Sequence, residues 1–328
     1  MIKLLDYKNY RILKNKKYNI IIRKIKFFII YLFLILYFII ILFSLYPRLN
    51  ILICTIAKQE NKYIKEFIDY YKNLKFKKII IYDNNNINGE NFQNILNKEI
   101  KDKFIEIINY RGFKRPQKKA INECYKKYNK KFDWIAFYDI DEFLYIINYT
   151  DINQFLSLSK FKKCQNILIN WKYYGDNNKL YYEPKPLNER FIQPFYFINK
   201  SLIKKKKLYY CAAKSLVRGG LNLSWGLLPH YIKNVINCRP NGNIERNYFS
   251  PPQYSIAYIK HYITKSTEEF INRLNRGDVQ LESNNRYIKH RIYNYYFLFN
   301  KITKDKINLF ETKLKIKLNY SYLNKNIT

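Results

Sequence analysis

The chain has 328 residues, a length that allows one sizeable hydrophobic core with at most a smaller appendage. It carries 60 Lys and Arg against 25 Asp and Glu, which gives a formal net charge of +35. None of the five cysteines belongs to a C-x-x-C pair, which argues against a structural zinc site. The charge indicates either binding to nucleic acid or a membrane surface, or a general enrichment in lysine. Lysines are spread along the chain, which favours the second interpretation.

The N-terminal region has the pattern of a membrane anchor. Residues 1–26 are basic, and the stretch from Phe27 to Tyr46 contains no charged residue. About twenty apolar residues suffice for a helix that spans a hydrocarbon core. Neither the short apolar region nor the cleavage site of a secretory signal peptide is evident. We therefore predict a basic cytosolic tail over 1–26, a transmembrane signal-anchor over 27–46, and a type II topology with the remainder on the opposite side.

From residue 51 onward, strand signals alternate with helix signals. Strands are predicted at Ile51–Ile56, Lys78–Tyr82, Phe104–Ile108 and Asp133–Tyr138, with helices at Glu60–Leu74, Phe92–Leu96 and Gln117–Tyr128. This order predicts an α/β fold with a mostly parallel, Rossmann-like sheet flanked by helices. No G-x-G-x-x-G follows the first strand and the chain has no P-loop motif, so neither a dinucleotide-binding fold nor a P-loop NTPase is supported.

Charged residues follow the predicted strands. Lys58 comes after the first, Asp83 after the second, Arg111 after the third, and Asp139 and Asp141 after the fourth. In open α/β sheets, ligands bind outside the carboxyl ends of the strands. The four strand ends therefore predict a charged ligand site on one rim of the sheet.

The strongest single motif is Asp139-Ile140-Asp141, which ends an apolar, aromatic run. If the extended geometry persists, the two aspartates point to the same side. Such a pair suits a hard divalent cation that keeps open positions for phosphate oxygens. Two exposed aspartates that open a loop are the alternative interpretation.

The second half of the chain is less regular. We predict a strand from Cys164 to Trp171, a hairpin that joins residues 190–198 to residues 208–213, a helix opened by a Ser266–Glu269 capping box, and an aromatic-rich helix over 287–302. Cys54 and Cys164 lie in strand-like runs and Cys124 on an amphipathic helix. We expect these three to act as small buried hydrophobes, with a disulfide among the later cysteines as the alternative, whose connectivity cannot be read from the sequence.

Many short stretches, in the same order along the chain, resemble glycosyltransferase family 92 over roughly residues 50–280. They are Ile53–Glu60, Ile81–Asn85, Arg115–Ala120, Asp133–Leu144, Glu189–Phe191, Lys214–Arg218, His261–Tyr262, Lys265–Ser266, Glu268–Phe270 and Arg276–Gly277. The resemblance implies a GT-A fold and transfer of a sugar from a nucleotide donor, in animal members usually galactose from UDP-galactose. It also implies an inverting reaction and a divalent metal, manganese or magnesium, held by Asp141 and Asp139.

Other residues are candidates for binding the donor and the metal. Donor-binding candidates are Lys58, Asp83, Arg111, Arg115, Gln117, Lys118 and Asp139. A turn around Asp83 and a solvated basic helix face are the alternatives for these residues. In related GT-A enzymes a late histidine often completes the metal sphere. We prefer His230, with His261 as the rival and His290 as a structural residue.

An inverting transferase needs a carboxylate base close to the acceptor hydroxyl. Asp176, Glu189 and Glu245 are candidates, and the sequence does not choose among them. Glu142 follows the D-x-D directly and either serves as a catalytic carboxylate or assists the metal.

The expected function is a metal-dependent transfer of a hexose from a UDP-sugar to a glycan, glycoprotein or glycolipid, without a nucleic acid partner. Residues 47–285 would form the GT-A-like domain, and residues 286–328 a C-terminal helix with a basic tail. In a eukaryotic cell the topology places the enzyme in the Golgi or endoplasmic reticulum; in any other cell we expect membrane association. One alternative is a membrane-tethered basic protein that binds nucleic acid or acidic partners, with a vestigial D-x-D. Another is a nucleotidyltransferase, which would release pyrophosphate.

Overall fold

A computed structural model describes residues 23–39, 48–195, 211–223, 229–247, 250–277 and 285–318. The chain divides into two compact units, Met1–Arg48 and Leu49–Thr328. In the first unit a helix, α1, covers residues 23–39 and exposes large apolar side chains such as Phe27 and Phe33. Within the described ranges, no helix combines the length and the hydropathy that crossing a membrane requires. Residues 40–46 of the predicted anchor lie outside the described residues, so the anchor stays a prediction.

The first half of the second unit follows the predicted alternation of strands and helices. Its elements are β1 (Ile51–Ala57), α2 (Asn61–Asn73), β2 (Lys78–Asp83), α3 (Phe92–Ile95), α4 (Asn97–Lys101), β3 (Ile105–Asn109), α5 (Gln117–Tyr128) and β4 (Trp134–Ala136). Strand β1 pairs in parallel with β2 and β4, and β2 pairs in parallel with β3. The predicted parallel arrangement is confirmed for these four strands.

Both faces of β1 are buried, which explains its uninterrupted apolar sequence. Successive side chains of a strand point to opposite faces. Ile51 and Ile53 accordingly pack in one core cluster with α2, while Leu52 and Cys54 pack in another with α5. Helices therefore cover the two sides of the sheet and leave the carboxyl ends of its strands for a ligand.

Among its described residues, the second half adds five strands and two short helices. They are β5 (Glu142–Ile146), α6 (Ile152–Leu156), β6 (Asn166–Tyr173), α7 (Leu187–Arg190), β7 (Ala213–Arg218), β8 (Asn237–Cys238) and β9 (Ala257–His261). The strand order is β3-β2-β1-β4-β7-β6-β9-β5, with β8 beside β6. Strand β7 runs antiparallel to both β4 and β6, and β5 runs antiparallel to β9. In this half the sheet is mixed rather than mostly parallel, since β8 and β9 pair in parallel with β6 while β7 and β5 run antiparallel to their neighbours.

The C-terminal helices are α8 (Thr267–Arg276), α9 (Asn285–Arg291), a π-helical turn (Ile292–Tyr296), α10 (Phe297–Phe299) and α11 (Lys304–Leu314). The predicted capping box of α8 is confirmed, since Ser266 and Glu269 each accept a hydrogen bond from the other's backbone N–H. The single helix predicted over 287–302 is interrupted by the π turn. Residues 196–210 of the predicted hairpin lie outside the described residues.

The cysteines correct one expectation. Cys54 on β1 forms a disulfide with Cys124 on α5, and Cys164 forms another with Cys238 on β8. The expected burial of Cys54, Cys124 and Cys164 is confirmed, but their assignment as unbonded hydrophobes is wrong. The partners are separated by 70 and 74 residues, and such pairings cannot be read from cysteine spacing.

A buried ion pair holds α8 against α7. Arg190 donates from Nη1 to Glu269 Oε2 at 2.7 Å and from Nη2 to Glu269 Oε1 at 3.0 Å. The side chains are only 1% and 2% exposed. Tyr63 of α2 also donates its hydroxyl hydrogen to Glu269, at 2.6 Å. The position of α8 therefore depends on this carboxylate.

We expect Arg190→Met to destabilise the fold by about 3–5 kcal/mol, because it leaves the Glu269 carboxylate buried without its cation. The measurement is the free energy of unfolding by urea of the full chain in detergent. The control Lys72→Met breaks an ion pair between side chains that are 45% and 48% exposed. It should change the free energy of unfolding by less than about 1 kcal/mol. Equal effects of the two variants would contradict the prediction.

Candidate functional site

The D-x-D stretch lies in the turn between β4 and β5, beside a cavity of about 240 Å³. The cavity is lined by polar and charged residues from the β1–α2 loop, α5, this turn and α8, among them Lys58, Gln117, Asp139, Asp141, Arg273 and Arg276. The side chain of Asp139 is 39% exposed and that of Asp141 is 9% exposed. The turn therefore presents both carboxylates at the wall of one cavity, as expected for a ligand site on this rim.

Asp141 is surrounded by groups that favour its ionised form. Its Oδ2 atom lies 3.4 Å from Arg273 Nη1 and 3.6 Å from Lys265 Nζ. Its Oδ1 atom lies 3.7 Å from His261 Nε2. Burial by itself would raise the pKa of this carboxyl, but the neighbouring charges, Lys265 foremost, outweigh burial and hold the pKa below its usual value.

Glu142 is the most deeply buried carboxylate of the three. Its Oε2 atom accepts a hydrogen bond from the Asp139 backbone N–H at 3.2 Å, and its Oε1 atom lies 3.3 Å from Lys214 Nζ. Burial raises the pKa of Glu142 well above its usual value, although Lys214 acts in the opposite direction. Oε1 accepts no hydrogen bond among the described residues, so its contact with Lys214 is ionic.

His261, on β9, completes the group. Its ring packs against Trp171, with the ring centroids 4.4 Å apart. Burial lowers the pKa of His261 to about 3, so the imidazole is neutral at neutral pH and has a nitrogen lone pair to offer a metal. Its Nδ1 atom is also buried without a hydrogen-bond partner within the described ranges.

Asp141, Glu142 and His261 fit a divalent cation. One potential ligand atom from each lies within 4.8 Å of the other two. The set offers two carboxylates and an imidazole, which are common ligands of divalent cations in proteins. Glu142 Oε1 is compatible with this fit, because it accepts no hydrogen bond among the described residues and has only an ionic contact of 3.3 Å with Lys214, which leaves a lone pair for a cation.

The two histidines considered from the sequence have different surroundings. His230 Nδ1 lies 3.0 Å from the carbonyl oxygen of Ala213, and the ring meets Trp171 edge-on. Burial and the nearby Lys214 ammonium lower the pKa of His230 to about 4. Among the described residues it is His261, the second choice, that shares a cluster with Asp141, while His290 is exposed on α9.

The other donor-binding candidates are only partly brought together. Asp83 is buried, and its Oδ2 atom accepts hydrogen bonds from Arg111 at 2.9 Å. Arg111 also donates to backbone carbonyl oxygens of the loop after β2, so the pair holds that loop in place. Gln117 lines the cavity, whereas Arg115 and Lys118 are exposed at the start of α5.

The carboxylates considered as the catalytic base lie outside the cavity lining. Asp176 is buried and pairs with Lys306 Nζ of α11 at 2.6 Å. Glu245 pairs with Arg239 at 2.6 Å, and Glu189 is exposed on α7. None of these carboxylates is among the described residues that line the cavity.

Sequence reasoning assigned no role to four cations of the site: Lys214, Lys265, Arg273 and Arg276. Three of them, Lys214, Lys265 and Arg276, lie in the stretches that resemble the family. Arg273 and Arg276 are three residues apart on α8, a spacing that places them on the same side of a helix. The spacing is visible in the sequence. The direction in which the helix presents the two arginines is not. Lys214 interrupts the apolar run of β7, and a lysine in a buried strand is itself a signal that a carboxylate lies nearby.

Arg276 ties α8 to the loop that follows β1. Its Nη1 atom donates to the Lys58 carbonyl at 2.6 Å, to the Gln59 carbonyl at 3.2 Å and to Glu60 Oε1 at 2.6 Å. A single guanidinium therefore joins three residues of this loop to α8, while the Gln59 backbone N–H also donates to Asn85 Oδ1 at 2.7 Å.

Comparison with known proteins places the chain in a family. The family model described as glycosyltransferase family 92 matches residues 50–294. The chain belongs to glycosyltransferase family 92. This confirms the resemblance found in the sequence.

The relatives that this family 92 chain matches are distant. A family 92 protein of Oryza sativa subsp. japonica is 25% identical over 93 residues, which are 28% of this chain and only 16% of the rice protein. Staphylococcus aureus TarS 1–349 in complex with UDP is 12% identical, with a TM-score of 0.39, and the likeness covers 81% of each chain. TarS 1–349 in complex with UDP-GlcNAc gives a TM-score of 0.31 at the same identity and coverage.

We expect Arg276→Met to accelerate amide hydrogen exchange in residues 58–60, because it removes the three hydrogen bonds that hold this loop. Exchange measured by mass spectrometry on the full chain checks this. The control is Arg273→Met on the same helix, whose guanidinium bonds Ile263 and Asp141 instead. Unchanged exchange at 58–60 in Arg276→Met, or equal acceleration in both variants, would show that Arg276 does not hold the loop.

Proposed function

We propose that this family 92 enzyme transfers a hexose, galactose-like, from a UDP-sugar to a glycan, glycoprotein or glycolipid, with Mn²⁺ or Mg²⁺ as cofactor. The observation that carries the proposal is the cluster of Asp141, Glu142 and His261 next to a cavity with arginines on its wall. A nucleoside diphosphate with a bound cation matches this combination of carboxylates and guanidinium groups.

Asp141, Glu142 and His261 would hold the cation, which would neutralise the donor diphosphate and stabilise it as a leaving group. Arg273 and Lys58 line the same cavity and supply further positive charge for the diphosphate. Asp139 is the most exposed carboxylate of the turn, so it is placed to accept hydrogen bonds from donor hydroxyl groups.

In the inverting reaction, the acceptor oxygen attacks the anomeric carbon, the bond from that carbon to the diphosphate oxygen breaks, and a base takes the acceptor proton. The carboxylates that line the described cavity are Glu60, Asp139 and Asp141. Asp176, Glu189 and Glu142 stay predictions for the base.

We also propose the type II topology, with residues 47–328 on the luminal side of the Golgi or endoplasmic reticulum in a eukaryotic cell and membrane association otherwise. The disulfides Cys54–Cys124 and Cys164–Cys238 support exposure of the catalytic unit to an oxidising compartment.

The direct test is a screen of UDP- and GDP-sugars for hydrolysis by the full chain, with Mn²⁺ and with EDTA. We expect release of UDP that depends on the metal. Asp141→Asn should lower the rate by about 10²-fold or more, because it removes a carboxylate that would hold the cation. The control Asp305→Asn, in the exposed first turn of α11, should leave the rate unchanged.

Absence of metal-dependent hydrolysis of every sugar nucleotide by the wild type would overturn the proposal. Release of pyrophosphate instead of a nucleoside diphosphate would favour the nucleotidyltransferase alternative.

A further inference from the structure

Lys214 is a buried lysine between two carboxylates of the candidate site. Its side chain is 1% exposed, and its Nζ atom lies 2.8 Å from Asp139 Oδ2 and 3.3 Å from Glu142 Oε1. The ammonium also lies 5.7 Å from the centre of the Trp171 ring. A single cation thus bridges two of the three carboxylates in the turn.

The lysine remains charged in this position. Burial of an ammonium group favours its neutral form, but two carboxylates within 3.3 Å of Nζ, those of Asp139 and Glu142, favour the charged form. A buried group stays charged only where its ionic partners offset the free-energy cost of removing it from water. The chain therefore maintains a third positive group at this turn, in addition to Arg273 and Lys265.

The cations around the turn are divided between its carboxylates. Arg273 and Lys265 contact Asp141, whereas Lys214 contacts Asp139 and Glu142. Asp141 and Glu142 belong to the cluster that fits a metal, and Asp139 does not. Lys214 reaches one carboxylate inside that cluster and one outside it.

We propose that Lys214 is a positioning residue that separates the roles of the two D-x-D aspartates: its ammonium holds Asp139 away from the cation and shares Glu142 with it. Asp139 then faces the donor side of the cavity, and Asp141 serves the metal with Glu142 and His261. The inference rests on the proposed function, because it assigns residues around the cation site of that reaction.

This role predicts opposite effects on metal binding and on turnover. A fixed positive charge close to a divalent cation repels it, so its loss should tighten metal binding. The same loss releases Asp139 and Glu142 from their fixed positions, so turnover should fall even when the metal site is full. A lysine that only stabilises the fold would weaken both properties together.

The experiment compares Lys214→Met and Lys214→Arg with the wild-type full chain in detergent. The Kd for Mn²⁺ is measured without donor by electron paramagnetic resonance, and hydrolysis of the best UDP-sugar is measured at saturating Mn²⁺. For Lys214→Met we expect the Mn²⁺ Kd to fall about tenfold and kcat to fall at least about tenfold. Lys214→Arg keeps the charge, so its Mn²⁺ Kd should stay close to the wild-type value.

Lys306 offers a matched control. It is also 1% exposed and pairs with one carboxylate, Asp176, at 2.6 Å, outside the described cavity lining. Lys306→Met should lower the thermal midpoint without changing the Mn²⁺ Kd. If the Mn²⁺ Kd falls in Lys214→Met but not in Lys306→Met, the cause is the loss of a positive charge next to the metal site. The loss of a buried lysine in general is then excluded as the cause.

An unchanged or weaker Mn²⁺ affinity in folded Lys214→Met would overturn the inference, and so would an unchanged kcat. If that variant does not fold, the double variant Asp139→Asn/Lys214→Met removes the ion pair without changing the net charge. Its Mn²⁺ Kd should stay close to the wild-type value, and a tenfold weaker Kd would overturn the inference. A wild type that binds Mn²⁺ but hydrolyses no sugar nucleotide would refute the proposed function alone, since the Kd comparison remains valid.

Discussion

Neutralisation of the carboxylates in one turn is the interaction on which the site depends. Asp139, Asp141 and Glu142 fall within four consecutive residues between β4 and β5. Leaving buried carboxylates without partners costs several kcal/mol each. The compensating charges come from distant segments, Lys214 from β7 and Arg273 from α8. The turn is therefore stable only when β7 and α8 have packed against it, which couples the site to the assembly of the whole catalytic unit.

The rest of the unit fixes those two segments. Strand β7 lies between β4 and β6 in the sheet, so its register determines where Lys214 emerges. Helix α8 is anchored by the buried pair of Arg190 and Glu269 and by the capping box at its first turn. Arg276 at the end of the same helix reaches the loop after β1. One helix thus connects the wall of the cavity to the core.

Most lysines and arginines of this chain follow from its composition, but a few are buried and have a specific structural role. The net charge of +35 reflects a lysine-rich chain, and most such residues need no structural explanation. Five cations differ, because each is buried and each contacts a carboxylate: Lys214, Lys265, Lys306, Arg190 and Arg239. Lys214 and Lys265 reach the D-x-D, and of the five only Lys214 lies in a strand. Composition alone does not distinguish Lys214 from the other lysines. Its position within an apolar strand does.

The sequence by itself determined the local features: the strand and helix alternation up to β4, the aspartates at its end, the capping box of α8 and the family. These follow from periodicities of two and about 3.6 residues and from short motifs, which act between near neighbours. Only the tertiary structure decided the antiparallel β7, the disulfide partners, the grouping of His261 with Asp141 and the contact of Lys214 with Asp139. Each of these joins residues about 70 or more positions apart, and such contacts are set by packing of the whole chain, which no local pattern encodes.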